Sequence, residues 1–158
     1  MSSKTFVGII YLLLLLGLSN TKAYAGVSFE QEVTFGKIVV LDNSATHTMT
    51  IQPNGSINAS PQIAVIENGQ PGRYLLYDFP INTQLTLSIS ELPTGSGFSA
   101  GTPDGAFSMS LFLTQYTWTT NALGEVLIEI GGSLSTSGDG KRYLNGEYFQ
   151  NFQMNIDY

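Results

Sequence analysis

From Tyr148 to Tyr158 the side chains alternate: Tyr148, Gln150, Phe152, Met154, Ile156 and Tyr158 fall on one side, Asn151, Gln153, Asn155 and Asp157 on the other. A period of two over this length is the mark of a strand with one face on a core and the other in water. It predicts a strand that runs to the last residue and therefore requires a sheet to join.

The same pattern recurs along the chain. Val27, Phe29, Val33 and Phe35 share one parity, and Ser28, Glu30, Glu32 and Thr34 the other, which predicts a strand at Gly26–Phe35. Further strands are expected at Lys37–Leu41, Thr48–Gln52, Gln62–Ile66, Arg73–Phe79, Leu85–Ser90 and Phe107–Leu113, with Thr114–Thr119 either continuing the last of these or bending across a sheet edge, then at Val126–Ile130 and Ser133–Thr136. Turn chemistry separates them, as at Asp42-Asn43-Ser44, Pro53-Asn54-Gly55 and Ser137-Gly138-Asp139-Gly140. Gly131-Gly132 reads as a bulge or a close backbone approach. Pro93 to Gly105, dense in Gly, Ser, Thr and Pro, reads as a long loop. Eight or nine short strands with no helical period after the first 25 residues predict a single antiparallel β-sandwich, and no fixed repeat supports a propeller or solenoid.

The N-terminus has a different character. Lys4, the apolar run Phe6–Leu18 and the small residues of Ala23-Tyr24-Ala25 form the three parts of a secretory signal peptide. Cleavage is expected between Ala25 and Gly26, leaving residues 26–158 as one domain with no membrane span, located in the periplasm, secreted or at the cell surface. Cleavage would remove two of the six basic residues, Lys4 and Lys22, from a chain already at −6 with twelve acidic residues. An acidic domain is repelled by phosphate backbones, which argues against a nucleic-acid partner. There is no cysteine, so an exported fold of this size must rest on burial and strand pairing alone.

Signals for catalysis are weak. Gly97-Phe98-Ser99-Ala100-Gly101 fits the G-x-S-x-G elbow, but no helix is expected after it and the single histidine, His47, lies upstream. One histidine and no cysteine leave no usual zinc or copper set, and Asp42, Asp104 and Asp139 lack calcium-loop spacing. No cofactor is expected. Glu30 and Glu32 read as solvated charge. Tyr74, Tyr77, Tyr116, Trp118 and Tyr143 could offer a sugar-binding face, although core and cross-strand roles are the commoner use of such rings. Asn54-Gly55-Ser56 and Asn58-Ala59-Ser60 match the N-glycosylation pattern, which has meaning only in a eukaryotic secretory route.

Phe35-Gly36 after the first strand, Gly131-Gly132-Ser133-Leu134 after an apolar strand, and Gly146-Glu147-Tyr148 leading to Tyr158 resemble the secreted bacterial family called domain of unknown function 4402. More distantly, their order is similar to spore coat U-like proteins and to pilins of archaic chaperone–usher fibres. The resemblance implies an Ig-like, pilin-like sandwich without catalysis, whose partners are like subunits or a periplasmic chaperone. It also implies assembly by strand complementation. Val27, Phe29, Val33 and Phe35, with Phe152, Met154, Ile156 and Tyr158, are then the candidate strand-exchange or interaction residues. The expectation is a non-enzymatic structural or adhesive surface protein; the alternative is a self-contained sandwich that binds a glycan or protein through the 93–105 loop and nearby aromatics. What pairs with the last strand separates the two: Val27–Phe35 of the same chain would close the domain, whereas a strand from a neighbour would make it a fibre subunit.

Overall fold

A computed structural model describes residues 25–98 and 107–158, with the backbone alone for 91–98. The described residues form eleven strands and no helix: β1 Gly26–Gln31, β2 Lys37–Val40, β3 Thr48–Ile51, β4 Ile57–Ala59, β5 Ile63–Glu67, β6 Gly72–Tyr77, β7 Gln84–Phe98, β8 Ser108–Leu113, β9 Thr117–Thr119, β10 Val126–Ser135 and β11 Tyr148–Asp157. The chain is all-β and every strand pair is antiparallel.

Two layers share the core. One is a six-stranded sheet in the order β1-β6-β10-β3-β4, with β8 also on β10. β10 is its spine: Val126–Ile130 pair with β6, while Gly132–Ser135 are flanked by both β3 and β8. The other layer is in two pieces, a three-stranded sheet β11-β7-β9 and the pair β2-β5. Leu76, Ile128 and Ile130 meet Leu85 and Leu87 of β7 in the larger core cluster. Met49 and Ile51 pack with Ile63 in the smaller one, closed by Phe35, Ile38 and Val65.

The two clusters are tied together by one ribbon. β1 and β2 pair in succession with β6 and β5, bridged at Thr34–Gln70, so residues 26–40 run antiparallel to 63–77 while passing from one layer to the other. The passage brings backbones too close for side chains. Gly36 sits at φ +71 with the Glu67 carbonyl where a Cβ would be, and the Thr34 carbonyl blocks a Cβ at Gly69. That is the physical content of the Phe35-Gly36 landmark.

Several sequence expectations need correction. Pro93–Phe98 are not loop: β7 continues through them and pairs with Tyr148–Gln150, across a register shift between Gln150 and Phe152. Ser99–Gly105, the remainder of that expected loop, lie outside the described residues apart from the backbone context at Phe98. Of the two readings for the segment after β8, continuation fails and the bend across a sheet edge holds: the chain changes layer, since β9 pairs with β7. Of the two readings of Gly131-Gly132, the bulge fails and the close backbone approach holds. β10 runs straight through, and a Cβ at Gly131 would press on the Ile51 carbonyl and the Phe112 ring, both at 2.7 Å. β4 was not foreseen. Finally, β1 does not pair with β11 within the chain, because β1 lies on β6 in the opposite layer and β11 lies on β7.

Two glycine turns give a direct test of this packing. Gly124 has φ +74 with the Phe79 carbonyl at its Cβ position, whereas Gly55, at φ +84, has nothing within 4 Å. Gly55→Ala is expected to lose about 1 kcal/mol from backbone strain alone, and Gly124→Ala well above that through displacement of the Phe79 segment. Equal urea midpoints for the two variants would contradict the placement of the 120–125 turn.

Candidate functional site

The feature that stands out is an apolar sheet face that the described residues leave half exposed. In an antiparallel pair, residues directly opposite share a face. Val27 is opposite Leu76, and Phe29 is opposite Tyr74. Leu76 is fully buried in the core, so Val27 and Phe29 point to the core side as well. They are nevertheless 45% and 54% exposed. Phe29 finds only the edge of Tyr74, with ring centroids 5.6 Å apart. Polar Ser28 and Glu30 occupy the outer face, as their parity requires.

The opposing layer explains this. β11 is an edge strand, bonded to β7 on one side and to no described strand on the other. Its alternation is what the sequence predicts: Tyr148, Gln150, Phe152, Met154 and Ile156 turn inward and their neighbours outward. None of the five inward residues is fully buried, although Leu85 and Leu87 on the adjacent β7 are. Beside β11 the core opens into a cavity of about 90 Å³ lined by Tyr74, Ile89, Leu111, Ile130, Phe152 and Met154. Burial first, and then the charge of Glu32, holds the Tyr74 phenol above its ordinary pKa, so it stays neutral there.

The eight expected interaction residues therefore separate. Phe152 and Met154 line the opening, and Phe29 reaches it only through its contact with Tyr74, with Val27 beside it on β1. Met154 and Ile156 both pack against the larger cluster. Tyr158 is exposed but sets its ring edge on Phe79, with centroids 4.9 Å apart. Val33 and Phe35 are interior: Val33 packs on the larger cluster and Phe35 on the smaller, and both reach toward Gly132. A change there disturbs the fold before any surface.

β11 is positioned by a clamp that sequence reading passed over as a plain turn. The Asn43 side chain is 7% exposed. Its Nδ2 donates to Ser137 Oγ, Asp139 Oδ1 and the Lys141 carbonyl, each at 2.9 Å, and its Oδ1 accepts from the Gly138 N–H at 3.0 Å. Asp139 accepts also from the Lys141 N–H and the Ser137 hydroxyl, which lowers its carboxyl pKa. Tyr143 and Phe107 stack at 4.1 Å, and Tyr148 meets both edge-on, fixing the start of β11.

Other chemistry gains no site. His47 is half-buried, and Ser99 of the G-x-S-x-G match lies outside the described residues. Among the described residues no group of three His, Cys, Asp or Glu could hold a metal, and no helix is long and apolar enough to cross a membrane. Tyr74, Tyr77, Tyr116, Trp118 and Tyr143 do not share a face. Tyr74 borders the opening, Tyr77 covers Gly26 on the outer face, Tyr116 stands exposed after β8, Trp118 packs on the core and Tyr143 joins the cluster at β11. No protein-family model, curated protein or solved structure matches this chain.

If β1 lies under an uncovered face, its apolar side chains hold little of the stability. Val27→Ser and Phe29→Ser are each expected to cost about 1 kcal/mol or less, against about 2–5 kcal/mol for Leu76→Ala on the strand beside them. Chemical denaturation of the three variants measures this, and comparable losses at Phe29 and Leu76 would mean that the face is covered.

Proposed function

We propose that this chain is an exported, non-enzymatic surface protein whose sandwich takes up one further strand from a like subunit, so that copies link into a pilus-like fibre. The observations that carry the reading are the inward-facing yet half-exposed pair Val27 and Phe29 on β1 and the edge of β11 that no described strand covers. A strand added to the β11 edge that no described strand covers would pair with its backbone by main-chain hydrogen bonds, and alternate side chains would cover Tyr74 and the cavity at Met154. The signal-peptide pattern before Gly26 and the resemblance to secreted pilin-like families support the same reading.

The donor is β1 of the neighbouring copy. Its side chains are already half free, and its register on β6 shifts between Phe29 and Gln31, setting it off from the Thr34–Gln70 bridge that would remain as the hinge. Six residues reach about 20 Å, against about 33 Å for the ten residues of β11, so the donor covers the part of the edge nearest the cavity. Donor and acceptor in one chain make the contact head-to-tail, which propagates rather than closes.

The test uses the exported protein, its N-terminus read by intact mass. Oligomers that survive SDS without heating are expected, and Phe29→Asp, at a half-exposed site, should fold yet remain monomeric. A chain beginning at Lys37 should be rescued by a peptide of residues 26–36. A wild-type chain that stays monomeric at every concentration, or a Phe29→Asp variant that polymerises equally, would sink the proposal.

A further inference from the structure

The pair β2–β5 carries a second unpartnered face, on the opposite side of its ribbon from the core. Ile38-Val39-Val40-Leu41 and Ile63-Ala64-Val65-Ile66 are apolar at every position, the pattern of strands covered on both faces rather than one. The remaining edge strands differ: β1 and β11 turn Ser28, Glu30, Gln153 and Asn155 to the outside. In β2–β5 the inner face is used, with Ile38, Ile63 and Val65 packed on Met49 and Ile51. The outer face is bare. Val39 is 47%, Leu41 66% and Ile66 60% exposed, and Ala64, paired with Val39, lies between them.

Charge selects the occupant. The chain is at −6 overall, so most of its surface repels another copy of itself. This patch is rimmed instead by one charge of each sign, Lys37 Nζ and Glu67 Oε1, 2.7 Å apart and well exposed. At the far rim, the carboxylate of Asp42 is turned back onto the N–H and hydroxyl of Ser44, which lowers its pKa. A surface with both signs at its edge and an apolar centre is complementary to itself, which is what a two-fold contact demands.

We propose that the outer face of β2–β5 is a self-association surface for a second copy of this chain. With the two-fold axis along the strands, β2 of one copy lies over β5 of the other. Val39 then meets Ala64 of the partner subunit, Leu41 extends the contact at one end of the pair and Ile66 at the other, and Lys37 comes against Glu67 of the partner subunit. The contact lies on the outside of the sandwich, so it joins whole domains sideways and does not depend on strand exchange at β11. Its small area places it among weak, concentration-dependent interfaces.

Sedimentation velocity on the exported protein, from micromolar to several hundred micromolar, tests it. A reversible, SDS-sensitive dimer is expected, weakened at least about tenfold by Leu41→Glu with no change in thermal unfolding, since that side chain is exposed. The charge pattern gives a sharper arm: Lys37→Glu and Glu67→Lys should each dimerise poorly alone, yet pair with one another when mixed, because opposite charges then meet in both contacts related by the axis. Association that is absent at the highest concentration, that persists unchanged in Leu41→Glu, or that is not restored on mixing would overturn the proposal. Strand-exchanged polymers are separable by their resistance to SDS and their persistence in Leu41→Glu.

Discussion

An apolar sheet face must be covered, and in this molecule one layer is wider than the layer opposite. The sheet built on β10 extends outward through β6 to β1. Among the described residues the facing sheet ends at β11, and Val27 and Phe29 stay half exposed. The core beneath β7 is complete, with Leu76, Leu85, Leu87 and Ile128 fully enclosed. Burial there can hold the domain together while the margin stays open. Core and site are therefore products of the same mismatch in width, and a strand that repaired the mismatch would add both main-chain pairing and apolar cover.

The ribbon of residues 26–40 against 63–77 makes this arrangement persist. Because it crosses between layers, β1 is committed to the β6 side and β2 to the β5 side, and the backbone contacts at Gly36 and Gly69 leave no room to slide. The second layer is thereby divided into β2–β5 and β11-β7-β9, each with free backbone edges. At the other end the Asn43 clamp and the Phe107–Tyr143–Tyr148 rings hold the entry to β11, so its open edge is presented by a fixed strand rather than a loose tail.

Much of the architecture could be read from side-chain period alone. β11 shows its inward and outward faces residue by residue because a half-buried strand imposes its environment on every side chain. Period says nothing of partners, and so β1 could be recognised as a strand without any sign that it lies on β6. Composition misled at Pro93–Phe98, where turn-forming residues are drawn into β7 by pairing with Tyr148–Gln150. β4, three residues long, is too short to show any period. At the site, apolar parity identified Val27, Phe29, Phe152 and Met154, but the same parity also marked Val33 and Phe35, which are interior. Only exposure tells a side chain that faces a core from one that faces a vacancy in its cover. The clamp at Asn43 escaped because Asp-Asn-Ser is ordinary turn chemistry, and its distant partners at 137–141 leave no local trace.

The central claim is that the outer edge of β11 carries unpaired backbone. Residue-resolved amide exchange of the monomeric protein by NMR measures that most directly, since the N–H groups of an antiparallel edge strand point alternately toward and away from the neighbour. About half of the amides from Phe149 to Asp157 should exchange at rates near those of open backbone, alternating with slow amides bonded to β7, while β10 is protected throughout. Uniform protection along β11 equal to that of β10 would contradict the account, because it would mean that the edge is already paired.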